Sequence, residues 1–110
     1  MFGVLKEFFG LETPQFARRT EFLNLASELE RYVETDFPSK TGGRVVDVAK
    51  RIRSVLRRGA VSELDTHERV RVLKMLNRAK VRALVSTRDD HGYEIFRSLD
   101  SITSDVASII

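Results

Sequence analysis

Apolar residues recur every three or four positions through successive segments of this chain, and each segment is closed by a turn signal. That periodicity constrains the fold more than any other feature. A helix returns a side chain to one face after about 3.6 residues, whereas a strand alternates at period two. No stretch alternates for long enough to compete as a strand. The pattern predicts an all-α fold: one domain over residues 1–110, built as an antiparallel four-helix bundle with a short N-terminal amphipathic helix.

Residues 1–11 place Phe2, Val4, Leu5, Phe8, Phe9 and Leu11 on one half of a helical wheel, with Gly3, Lys6, Glu7 and Gly10 on the other. Thr13-Pro14 then opens a helix over 14–35, since threonine caps well and proline at the first helical position loses no needed hydrogen bond. Its apolar stripe is Phe22, Leu25, Ala26, Leu29, Tyr32 and Val33, its wet side carries Glu21, Glu28, Glu30 and Glu34, and Pro38 stops it. The next helix, 44–58, gathers Val45, Val48, Ala49, Ile52, Val55 and Leu56 into one arc and ends at Gly59, suited to a left-handed cap.

Asp65-Thr-His-Glu68 has the form of a capping box and starts the longest helix, 66–87, on the order of 33 Å long. Val72, Leu73, Leu76, Ala79, Ala83 and Leu84 are expected to face inward, with Met75 at the edge. Val70, Val81 and Val85 fall outside that arc, as a second apolar strip. The last helix, 92–109, buries Ile95, Phe96, Leu99, Ile102, Val106 and Ile109 and turns Asp100, Ser101, Ser104, Asp105 and Ser108 outward.

The net charge of +3 hides a strong segregation. From Ser39 to Arg88 the chain holds fourteen of its nineteen Lys and Arg against four acids, a local +10. The flanks before and after carry −3 and −4. Within the basic stretch, Lys50, Arg53 and Arg57 share one helix face, and Arg71, Lys74, Arg78 and Arg82 line another as a ridge. Two readings compete. The acidic first and last helices lie against the basic middle pair, or the ridge faces a partner. Arginine outnumbers lysine fourteen to five, which suits planar recognition of carboxylate or phosphate.

Catalytic material is sparse. Without cysteine there is no thiol nucleophile, thiolate metal site or disulfide, which fits a reducing compartment. His67 sits in a first helical turn before Glu68-Arg69, unlike a phosphotransfer histidine, and Asp89, Asp90 and His91 read as a helix-entry turn rather than a metal site. The loop Ser39-Lys-Thr-Gly-Gly-Arg44 lacks the spacing of a P-loop. No catalytic residue, metal or cofactor is expected.

No apolar run approaches the roughly twenty residues that span a bilayer, and Lys6 offset by Glu7 gives the amino-terminal segment no pull toward anionic lipid. A cytoplasmic, non-enzymatic interaction module is expected: a small adaptor, assembly factor or regulator presenting its arginine-rich face to an acidic partner surface. Phe2, Phe8, Phe9, Val70, Val81 and Val85 supply apolar docking area, so the partner is a second copy or another protein, in a homodimer or hetero-complex. The alternative is a nucleic-acid-binding protein that uses the basic helices over 44–88 non-specifically. That alternative lacks aromatics interleaved with the arginines and a turn short enough for a helix-turn-helix.

Overall fold

The computed structural model describes residues 14–38, 40–85 and 90–110. The expected helix over 1–11, with Phe2, Phe8 and Phe9, lies outside these residues, as do Thr13, Arg88 and Asp89. The described chain forms four helices: α1 (Pro14–Glu34), α2 (Gly42–Arg57), α3 (Thr66–Val85) and α4 (Asp90–Ile109). A 3-10 turn, Ala60–Glu63, joins α2 to α3. Among the described residues there is no strand.

Local chemistry accounts for the helix ends. Both hydrogen bonds of the capping box form: Glu68 N donates to Asp65 Oδ1 at 2.8 Å, and Asp65 N donates to Glu68 Oε1 at 3.1 Å. Gly59 adopts φ 107°, a left-handed conformation that a Cβ would strain. Helices α2 and α4 each begin two residues earlier than their apolar periodicity predicts. At α2 the reason is visible: Gly42 and Gly43 carry no side chain to register in the pattern. Their turn still closes through Gly42 N to Pro38 O (3.1 Å) and Val45 N to Thr41 O (2.9 Å).

The helices form a ring in which α1 packs on α2, α2 on α4, α4 on α3 and, more lightly, α3 on α1. Consecutive helices run antiparallel. Thr41, entering α2, donates to the Tyr32 carbonyl late in α1, while Arg58, leaving α2, meets Glu21 early in α1. Lys80 of α3 lies 2.9 Å from Asp100 of α4; twenty residues along one unbroken helix would be about 30 Å apart, so the chain reverses between them.

The crosswise neighbours run parallel instead. Gly42 and Arg57 of α2 sit against Ile95 and Asp105 of α4, and Arg19 and Glu34 of α1 meet Glu68 and Arg78 of α3. The fold is two antiparallel hairpins laid side by side, so α2 and α3, although consecutive, are not packed neighbours.

The charges match that topology. Helix α2 carries five cations against one acid and α3 six against one, whereas α4 carries one cation against four acids and α1 three against four. In the observed ring, acidic and basic helices alternate at every seam. A ring in chain order would have set the two basic helices side by side. The 3-10 turn carries the chain across one end of the bundle, packing against α1.

Inside the ring, Phe22, Leu29, Ile52, Leu56, Leu76, Leu99 and Ile102 are fully buried. Each such side chain contributes about 1.5–3 kcal/mol. Ala49, Ala79 and Ala83 are fully buried as well. Gly42 is also buried, and a Cβ there would collide with Ile95 Cδ1. Thr103, the one buried polar side chain among the described residues, donates to its own helix at Leu99 O, 2.6 Å away.

Candidate interaction surface

The seven cations of the expected ridge are divided between two seams. On α2, Arg57 Nη2 lies 2.5 Å and Arg53 Nε 3.7 Å from Asp105 Oδ2 of α4. The contact is close enough for ion pairing but is not aligned as a hydrogen bond, so Oδ2 has charge partners without a directed donor. On α3, Arg71 Nη2 pairs with Glu30 Oε1 at 2.8 Å and Arg78 Nη2 with Glu34 Oε2 at 2.5 Å. Because α2 and α3 sit across the ring from one another, these two sets do not merge into one basic face.

Arg82 has a different place from its neighbours on the wheel. Its guanidinium donates to the carbonyls of Val33 and Phe37, the latter at 3.0 Å, and lies 5.7 Å from the centre of the Phe37 ring. It therefore caps the carboxy-terminal end of α1, where helical carbonyls lack partners and the dipole is negative. Lys50 and Lys74 make no hydrogen bond or ion pair among the described residues.

Further pairs close the remaining contacts. Arg19 reaches Glu68 Oε2 at 2.7 Å and the Glu63 carbonyl at 3.0 Å, Arg58 reaches Glu21 at 3.3 Å, and Lys80 reaches Asp100. Opposite charge on the flanking segments signals such pairing in general. The particular partners depend on ring order, which periodicity does not carry. The paired side chains are part-exposed, from 14 to 58%, and each pair contributes about 0–1 kcal/mol.

Several of its flank cations are engaged by α1 and α4, and the outward side of α3 carries four exposed apolar side chains beside Lys74 and Asn77. Val70 is 41% exposed, Val81 59%, Leu84 48% and Val85 80%. Leu84 corrects the sequence reading, which placed it inward. A helical wheel treats every turn alike, but the core covers its neighbour Leu73 in part and leaves Leu84 outside. Met75, expected at the edge, is buried. A shallow hollow of about 190 Å³ opens beside Val70, floored by Met75 and edged by His67, Arg71 and Lys74. Val70, Lys74, Asn77, Val81 and Leu84 follow one another at spacings of four, three, four and three. Residues at that spacing line the seam of a helix that packs along another helix.

Other surfaces offer less. A groove of about 530 Å³ between α1 and α2 is lined by Ala17, Thr20, Glu21, Asn24, Leu25 and Arg51, part polar and part apolar, with one charge of each sign. Beside it the guanidinium groups of Arg31 and Arg44 lie 5.0 and 5.7 Å from the centre of the Tyr32 ring, whose hydroxyl donates to Glu28. Among the described residues no group of His, Asp and Glu is arranged to hold a metal, and no helix is long and apolar enough to cross a membrane.

Fold and surface together define a small all-α bundle whose seams are closed by opposite charges and whose third helix keeps an apolar outer strip. Comparison with known protein families, with curated proteins and with solved structures finds no match for this chain.

Proposed function

We propose that the protein is a non-enzymatic interaction module that engages a protein partner through the outer face of α3. The observation that carries this reading is the exposure of Val70, Val81, Leu84 and Val85 in a line on one helix whose opposite face is already in the core. Exposed apolar residues scattered singly need no explanation, whereas an aligned strip is the usual form of a protein-binding face. The engagement of Arg53, Arg57, Arg71 and Arg78 by carboxylates of the same chain also favours protein over nucleic acid, since phosphate contacts would have to displace those partners.

The test uses the full chain as bait, wild type and the Val81→Asp/Leu84→Asp double variant, with nuclease treatment before mass spectrometry. The reading expects a nuclease-resistant partner captured by the wild type and released by the double variant, with an unchanged thermal melt. Retention of the partner by the double variant refutes the surface. Capture abolished by nuclease, together with sub-micromolar duplex or single-strand binding at physiological salt, refutes the protein partner in favour of nucleic acid.

A further inference from the structure

Resting on that reading, the chemistry of the strip names what docks there. We infer that the occupant is an acidic amphipathic helix of a different protein, lying along α3, with a carboxylate opposite Lys74. The geometry calls for a helix. Val70, Lys74, Asn77, Val81 and Leu84 repeat at the spacing of a helix–helix seam over about 21 Å, four turns. The hollow beside Val70 offers a seat for an apolar knob at one end, and Val81, Leu84 and Val85 form an apolar platform at the other.

The centre of the seam is polar, and its charge chooses the partner. Lys74 stands there without a hydrogen bond or ion pair among the described residues. Arg71 and Arg78 flank it on the α1 side, each already paired with an α1 carboxylate, so Lys74 carries the unmatched charge. The sole acid of α3 is Glu68, already held by Arg19 and by the backbone N–H of Asp65. The strip therefore has two apolar ends, a cationic centre and no acid.

A second copy of the chain fits this pattern poorly. Two α3 helices related by a two-fold axis near Asn77 would set Val70 against Leu84 but leave both Lys74 ammonium groups at the contact without a carboxylate. A lysine at such a seam position selects against self-pairing and for a partner that carries the opposite charge. Carboxylates on the partner would also speed its approach at low salt, because complementary charge steers encounter.

The test uses designed peptides of about 21 residues and fluorescence anisotropy with the full-length protein. One peptide carries leucines at the seam positions and glutamates at the central and flanking ones; a second replaces each glutamate by lysine. The glutamate peptide is expected to bind, and to weaken at least about tenfold in both Lys74→Glu and Leu84→Asp. The lysine peptide is expected to fail on the wild type and to gain binding on Lys74→Glu. Circular dichroism checks that both variants remain folded.

Equal binding of the two peptides, or no effect of Lys74→Glu, overturns the inference. So does a homodimer in light scattering that Leu84→Asp dissolves, since the occupant is then a second copy. If Phe8→Asp/Phe9→Asp raises the affinity for the glutamate peptide about tenfold, the occupant is the chain's own amino-terminal segment, and the inference again falls. Failure of both peptides while the captured partner still depends on Val81 and Leu84 refutes the acidic helix alone. Loss of that dependence refutes the interaction face as well.

Discussion

Arg82 sits on the same outer stripe of the wheel as Arg71 and Arg78, yet its removal should cost far more. Its guanidinium caps the end of α1 through the carbonyls of Val33 and Phe37 and lies against the Phe37 ring, whose side chain is buried. A hydrogen bond to a charged group contributes about 1.5–3 kcal/mol. The two share one half-buried side chain, so Arg82→Ala should destabilise by about 2–3 kcal/mol rather than by their full sum. At about 4–8 °C per kcal/mol for a domain near this size, the melting temperature falls by about 10–20 °C. By contrast, Arg71→Ala breaks an exposed pair with Glu30 and should cost less than about 1 kcal/mol. Lysine keeps the charge but not the planar fork, so Arg82→Lys should recover only part of the loss. Urea unfolding followed at 222 nm measures all three. If Arg82→Ala shifts the midpoint no more than Arg71→Ala, the capping role is wrong. The same reasoning bars Arg82 from any charge-reversal test of the surface, because its loss would act through folding.

Three further outcomes follow from packing and charge. Gly42→Ala should change stability by no more than about 1 kcal/mol, because the new methyl meets only the terminal carbon of the Ile95 side chain, which can turn aside, and alanine gains helix propensity over glycine; a loss above about 2 kcal/mol would show that Ile95 has no room to turn between α2 and α4. Leu76→Ala should cost about 2–5 kcal/mol as a core cavity, and Leu84→Ala less than about 1 kcal/mol as a surface change; calorimetry giving the reverse order would return Leu84 to the core. Raising salt from about 0.05 to 1 M should lower stability by about 1–2 kcal/mol as the seam pairs are screened. A flat response in denaturant titrations would mean that those pairs do not hold the ring.

Much of the fold is legible in the residues without any coordinates. The apolar spacing of Phe22 to Val33, Val45 to Leu56, Val72 to Ala83 and Ile95 to Val106 determines four helices and their inward faces. Asp65 with Glu68, and Gly59, set helix ends by local hydrogen bonding and backbone conformation alone. Each depends on neighbours a few positions away in the chain, which a sequence displays directly. The segregation of charge is legible too, together with the general tendency of acidic outer helices to lie against basic inner ones.

Ring order is a different kind of fact. Periodicity says which face of a helix is buried but not against which helix, so the diagonal placement of α2 and α3 emerges only in the tertiary structure. Three consequences depend on it. Arg53 and Arg57 turn to Asp105 while Arg71 and Arg78 turn to α1, so a ridge continuous on paper is divided in space. Arg82 lands on the open carbonyls of another helix's end, a position that no wheel of α3 can show. Leu84 stays outside while Leu73, also at the edge of the core arc, is partly covered, because burial is decided by what the neighbouring elements cover and not by the residue's own angle. Local spacing settles what a helix can bury; only the packed assembly settles what is left over for a partner.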